Sequence, residues 1–166
     1  MSTALFYASS TGNTEDVAKR IVASLGEDIK TYDIANDGCD AISNCEKIIL
    51  GVSTWGEGDL QDDWEDSWSD FCEIDFSGKT VALFGLGDQE GYAEEFVDAL
   101  GTLYEQVQTA GANVIGFTST DGYDHDESKA QVDGQFVGLV VDEDNQDDLT
   151  QERIEAWTNS IKTSIL

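Results

Sequence analysis

The chain has 166 residues, 40% of them apolar, which is enough for one domain with a real core. Thirty-five acidic residues against eight basic ones give a net charge of −27; such a surface repels nucleic acid and anionic membrane and suits a basic protein partner or a high-salt environment. No stretch approaches the roughly 18 apolar residues of a membrane span, no signal-peptide pattern is present, and Cys39, Cys45 and Cys72 lack metal or disulfide spacing, so they read as free thiols in a reducing cytoplasm.

Thr3 to Ala8 is a short apolar run that reads as a buried strand. Asn13 to Leu25 sets Val17, Ile21, Val22 and Leu25 at helical spacing, with Gly26 as a stop signal. Ile29 to Ile34 alternates as a second strand, and Cys39 to Asn44 fits a short helix. Lys47 to Val52, apolar on both faces, is a third strand. Asp62 to Cys72 carries Trp64, Trp68, Phe71 and Cys72 on one helical stripe. Thr80 to Leu86 is a fourth strand, Tyr92 to Ala110 a long helix, and Asn113 to Thr118 a fifth strand. Leu149 to Ile161 closes the chain with Ile154, Trp157 and Ile161 inward.

Strands that alternate with helices and are apolar throughout imply an α/β, doubly wound parallel sheet covered on both faces. One domain, residues 1–166, is expected. In such sheets ligands sit at the carboxyl ends of the strands. One piece breaks the pattern: roughly twenty polar residues around Ser119 to Gly134, followed by a strand-like run from Phe136 to Val141. Long insertions in compact domains tend to be functional.

Three loops carry chemistry. The first, Ser9-Ser10-Thr11-Gly12-Asn13-Thr14, offers hydroxyls, an amide and backbone N–H groups at a helix N-terminus. That is a nest for an anion. It holds no Lys or Arg, so it suits one phosphate held by hydrogen bonds rather than a triphosphate. Gly78-Lys79-Thr80 lacks the spacing of a P-loop, because Glu73 stands where the first glycine belongs. The second loop, Ser53-Thr54-Trp55-Gly56-Glu57-Gly58, places a tryptophan between small residues, where it can offer a flat face to a ring. The third, Gly85-Leu86-Gly87-Asp88-Gln89-Glu90-Gly91-Tyr92, supplies an acid and a second aromatic, and its glycines do not match a dinucleotide fingerprint. His125, the lone histidine, reads as a surface residue of the insertion.

With these motifs the sequence resembles the flavodoxins nearly end to end. Ser9 to Thr14 is similar to their phosphate loop for FMN, Thr54-Trp55-Gly56 to the loop whose tryptophan covers one flavin face, and Gly87 to Tyr92 to the loop whose tyrosine stacks on the other. Thr120-Asp121-Gly122-Tyr123 and Phe136-Val137-Gly138-Leu139 through Asp142-Glu143-Asp144-Asn145-Gln146 resemble the long-chain subgroup. The family often has proline where Ser53 stands and threonine where Ser9 stands.

The resemblance implies a three-layer, five-stranded sheet of order 2-1-3-4-5, its fifth strand split by the insertion. It implies one-electron transfer through bound FMN among quinone, neutral semiquinone and hydroquinone, in a monomer that is a carrier and not an enzyme. It implies partners such as flavodoxin/ferredoxin–NADP reductase with basic docking faces. The expected contacts are Ser9, Ser10, Thr11, Gly12, Asn13, Thr14, Ser53, Thr54, Trp55, Gly56, Glu57, Gly58, Leu86, Gly87, Asp88, Tyr92 and Asp144. The Gly56–Glu57 peptide is expected to flip on reduction and bond flavin N5, which glycine makes easy.

A carboxylate about 10 Å from the reduced ring disfavours its negative charge by roughly 0.4–1.7 kcal/mol for dielectrics of 80 to 20. That is on the order of 20–70 mV per acid, and Glu57, Asp88 and Asp144 are the best placed. Two rivals share the fold. A phosphoacceptor receiver needs acids after strands one and three, where this chain has Ser9-Ser10 and Ser53-Thr54. An FMN-dependent NAD(P)H:quinone reductase needs a nicotinamide site and a different insertion.

Overall fold

A computed structural model describes residues 3–8, 12–26, 29–55, 59–60 and 62–166. For Trp55, Asp59 and Leu60 the description covers the backbone.

Five parallel tracks make the main sheet. β1 (Thr3–Tyr7) lies between β2 (Lys30–Asp33) and β3 (Lys47–Trp55), and β5 (Thr80–Leu86) follows β3. The short β4 (Asp59–Leu60) turns back antiparallel on the end of β3. The outer track is shared: β6 (Asn113–Ile115) pairs with residues 80–82 of β5, and β10 (Leu139–Val141) pairs with residues 84–86. Counting the five parallel tracks alone in chain order, the sheet order is therefore 2-1-3-4-5, with the fifth track in two pieces, β6 and β10.

Alternation along the strands decides which helices cover which face. Leu5, Ile49, Ala82, Phe84, Leu139 and Val141 pack with α1 (Asn13–Leu25) and α5 (Thr150–Ile165). Ala4, Phe6, Ile48, Leu50, Val81, Leu83 and Val140 pack with α3 (Asp62–Phe71) and α4 (Asp98–Thr109). A helix-like turn at Asp40–Asn44 and the short α2 (Ile34–Asp37) close the second layer. Phe84 shows how tight the sheet is: a Cβ on Gly51 would lie 2.0 Å from its ring. The carbonyl of Gly51 accepts the indole N–H of the buried Trp64 at 2.8 Å.

The insertion leaves the sheet after Ile115 and returns at Leu139. Gly116, at φ 83°, makes the exit, and Trp157 Nε1 donates to its carbonyl at 2.9 Å. Gly138 makes the return, where a Cβ would meet the Leu83 carbonyl oxygen at 2.1 Å. Thr118 Oγ1 donates to the Gly138 carbonyl at 2.6 Å and ties the two ends together. Between them β7 (Thr118–Ser119), β9 (Gln135–Phe136) and β8 (Gln131–Val132) form a small antiparallel sheet. The fifth strand expected over Asn113–Thr118 thus stops at Ile115. The run expected over Phe136–Val141 divides between two sheets. The helix expected from Tyr92 begins at Asp98 instead. No helix among the described residues is long and apolar enough to cross a membrane.

Candidate functional site

The start of α1 and the carboxyl ends of β3 and β5 face one cleft of about 260 Å³. Its first wall is the start of α1. Gly12 precedes the helix at φ 92°, a left-handed conformation that glycine adopts without strain. A Cβ there would meet nothing within 4 Å. Gly12, as the residue before the helix, brings no side-chain cap to it. Asn13 and the buried Thr14 line the cleft from this helix.

Ser53 and Thr54 line it from the end of β3. Thr54 Oγ1 accepts the backbone N–H of Ala99 at 3.1 Å. This strand residue therefore caps α4, whose preceding residue, Val97, sits at φ 48° and provides no cap. Leu86, Gly87, Asp88 and Tyr92 form the third wall. Gly87 has to be small, since a Cβ would press Val97 Cγ1 at 2.9 Å and the Val97 nitrogen at 3.1 Å. Tyr92 is 44% exposed, the large apolar side chain most open to solvent among the described residues.

Asp88 ties its own loop. Its Oδ1 accepts the N–H of Gly91 at 2.7 Å, the N–H of Glu90 at 3.1 Å and Asn145 Nδ2 at 2.8 Å. These bonds, the Gly91 one foremost, hold the carboxyl below the usual carboxylate range. Behind it lies Asp142, fully buried. One oxygen of Asp142 accepts Gln89 N, Gln89 Nε2 and Asn145 Nδ2 at 3.1, 2.8 and 2.9 Å. The other accepts the N–H groups of Asp144 and Asn145 at 3.1 and 3.0 Å. Gln89, itself buried, passes the connection on: its Oε1 accepts Asp124 N, in the insertion, at 2.6 Å.

Oxygens of Asp88, Asp142 and Asp144 lie within 4.8 Å of one another, an arrangement that the N–H donors on Asp88 and Asp142 explain. The Asp144 carboxyl is pushed up by burial, then by the charges of Asp88 and Asp142. Glu143 also lines the cleft, and burial raises its carboxyl against the pull of Arg20. Two acids at the cleft therefore resist further negative charge, and among the described residues the cleft lining contains no Lys or Arg.

Of the residues expected from the sequence, Asn13, Thr14, Ser53, Thr54, Leu86, Gly87, Asp88, Tyr92 and Asp144 meet at this cleft, with Gly12 at its edge. Ser9, Ser10, Thr11, Gly56, Glu57 and Gly58 lie outside the described residues, and Trp55 is described through its backbone alone. Glu143 and Asp142 were missed; their signal is position, at the carboxyl end of a split fifth strand. His125 is no free surface residue: it is half-buried, its ring 5.2 Å from both Phe96 and Phe136.

Comparison with known proteins gives one result throughout. The flavodoxin family model matches residues 5–157. A flavodoxin of a Picosynechococcus species is 48% identical over 160 residues, covering 95% of this chain and 94% of the relative. Flavodoxin 1 of Escherichia coli strain K12 is 45% identical over 165 residues, covering 98% and 94%. The crystal structure of Fusobacterium nucleatum flavodoxin bound to flavin mononucleotide superposes with a TM-score of 0.95 at 38% identity, covering 99% of both chains.

Proposed function

The chain belongs to the flavodoxin family, and we propose that it is a low-potential one-electron carrier that holds one FMN non-covalently in the cleft and shuttles electrons between larger redox proteins. The observation that carries this reading is the meeting of the start of α1 and two strand-end loops at one cleft, with a glycine leading into the helix on one wall and an open tyrosine on another. Residues 1–166 act as a single FMN-binding domain in the cytoplasm, and the chain works as a monomer.

The residues fit the group. Gly12 leaves open space where the chain enters α1, and the lining there is hydroxyl and amide rather than cationic. Ser9, Ser10, Thr11, Gly12, Asn13 and Thr14 would hold the phosphate by N–H and O–H donation. Trp55 and Tyr92 would flank the ring, and Ser53, Thr54, Gly56, Glu57, Gly58, Leu86 and Gly87 would complete the set that holds it. FMN supplies the one-electron chemistry; the protein supplies binding and electrostatics.

The carboxylates of Asp88, Glu143 and Asp144 line the cleft without a compensating cation among its described lining residues. They oppose the arrival of an electron and so lower the potential. The same negative surface, −27 in all, steers partners with basic docking faces, a flavodoxin/ferredoxin–NADP reductase among them.

The test is an anaerobic reductive titration followed by visible absorption. A yellow protein reduced in two separate one-electron steps is the expected result. A colourless protein that refuses added FMN would overturn the cofactor, and a single two-electron step would overturn the carrier in favour of a reductase.

A further inference from the structure

One side-chain amide stands between two carboxylates beside the cleft. Asn145 Nδ2 donates to Asp88 Oδ1 at 2.8 Å and to Asp142 Oδ2 at 2.9 Å, so its two hydrogens serve one acid each. The reverse orientation would set the amide oxygen against both carboxylates, so the chemistry of the pair fixes which end of the amide faces them. The acids are close: oxygens of Asp88, Asp142 and Asp144 lie within 4.8 Å of one another. Asp142 is fully buried and takes N–H donors on both oxygens, which is the pattern of an ionised carboxylate. Among the described residues the ion pairs are Lys19–Glu15 and Arg20–Asp16, so no cation pairs with these acids.

Two carboxylates held this close without a cation ordinarily share a proton, and one gives up its charge. The groups around the pair do not relieve it. Glu90 and Glu143 flank the two acids in the chain. The Asp144 carboxyl is raised by burial, then by the charges of Asp88 and Asp142. On the insertion, burial pushes the Tyr123 hydroxyl up to about 12, Arg153 over its ring pulls it down, and the Asp142 charge pushes it up again. The neutral donors must therefore hold both charges, and Asn145 is the side chain that reaches both acids. We infer that Asn145 is a positioning residue: its amide keeps two ionised carboxylates side by side next to the cleft, and so fixes the negative field that opposes reduction there. The part of this that concerns reduction rests on the carrier reading above. Without the amide, Asp88 loses a donor to its charged form and meets Asp142 directly, and both changes raise its carboxyl. As pH falls, Asp88 then takes a proton from solvent earlier, the cleft becomes less negative, and an added electron is opposed less.

The test is a pH titration of the Asp88 carboxyl carbon by ¹³C NMR in the flavin-loaded protein, compared among the parent, Asn145→Ala and Asn145→Asp. Asn145 is exposed, so neither change disturbs the core. The Asp88 midpoint should rise by about one pH unit in Asn145→Ala, and further in Asn145→Asp, where a like charge replaces the amide. In Asn145→Ala the potential of the second reduction step should also climb more steeply than in the parent between about pH 7 and about pH 5. In an Asp88→Asn background, Asn145→Ala should lose most of that extra climb, because the acid it acts through is gone. An Asp88 midpoint that stays put in both variants would overturn the inference, and a fall in Tm alone would then leave Asn145 as a structural tie. An extra climb that survives in the Asp88→Asn background would overturn it as well. A single two-electron step would overturn the carrier reading instead, while the Asp88 titration, read on the protein, would stand or fall by itself.

Discussion

The carboxylate of Asp142 grips both nitrogens of Gln89: one oxygen accepts the backbone N–H at 3.1 Å and the side-chain amide at 2.8 Å, and both residues are buried. Gln89 in turn accepts Asp124 N, so a single acid joins the Tyr92 loop, the fifth strand and the insertion. Removing it strands the buried Gln89 amide and the N–H groups of Asp144 and Asn145. Asp142→Ala should cost about 2–4 kcal/mol in chemical denaturation. The flavin should also dissociate more readily, by about tenfold, because its loop loses its anchor. Loss of stability with FMN affinity unchanged would show that the anchor does not set the cleft.

Asp88 makes stability depend on acid. Its folded-state carboxyl lies below the usual range because Gly91, Asn145 and Glu90 donate to it. The stabilisation is therefore present above the unfolded carboxyl's range and is lost as pH falls through the lower, folded value. Asp88→Asn should be less stable than the parent at pH 7, by under about 1 kcal/mol given its exposure. The difference should shrink below pH ~4, where unfolded carboxylates protonate. Denaturation curves at several pH values would show the two proteins converging; a gap that stays constant would rule out the charge as its source.

The periodic parts of this fold were legible in the sequence because they are local. α1 begins and ends where its apolar spacing and Gly26 place it, and β5 matches its apolar run. The failures occur where distant residues decide. Tyr92, Phe96, Val97 and Leu100 keep helical spacing, yet Asp88 bonds the N–H groups of Glu90 and Gly91, and Phe96 N donates to Glu127 of the insertion. The chain consequently runs in turns up to Val97, which is left-handed, and the helix waits until Asp98. At the site, the hydroxyl, glycine-rich and aromatic loops are visible in the sequence, and nine of the residues expected from them and from the acidic stretch after the fifth strand line the cleft. Glu143 and Asp142 are unremarkable among thirty-five acids until β10 is seen to end beside β5.

Glu143 and Asp144 act in the opposite sense from Asp88. Burial pushes both carboxyls up, so their charged forms are disfavoured in the folded protein at neutral pH. That penalty disappears as pH falls through the raised folded values toward the unfolded ones. Glu143→Gln and Asp144→Asn should each raise the potential of the second reduction step by on the order of 20–70 mV. The shift should be smaller at high salt, since the cleft is open to solvent. Spectroelectrochemistry reads this directly, and a potential that does not move on substitution would remove that acid from the set that tunes the flavin.

Gly138 decides whether the insertion can close onto the sheet. A methyl group there would sit 2.1 Å from the Leu83 carbonyl oxygen, and backbone cannot step aside as a side chain does. Gly138→Ala should cost about 1–3 kcal/mol or more. Hydrogen exchange should rise first at Thr118 and Leu139–Val141, the paired ends of the insertion, before α1 or β1 is affected. Uniform acceleration across the whole protein would mean that the insertion and the sheet unfold together.

The surface charge sets the last expectation. Thirty-five acids and eight bases are relieved by two described ion pairs, Lys19–Glu15 and Arg20–Asp16, both exposed pairs within one helix. Such pairs contribute little, so repulsion among the remaining acids works against the compact state. Screening shortens from about 30 Å at 0.01 M salt to about 3 Å at 1 M. Tm should therefore climb between these conditions, and sodium chloride and potassium chloride should act alike if screening is the whole cause. If Tm climbs and then continues to rise well beyond 1 M, salt exclusion from the surface adds to screening, and the acidity fits a high-salt environment. If Tm is flat, the acids are spaced widely enough not to repel, and docking to a basic partner is the better reason for them; binding that weakens steeply with salt would then follow.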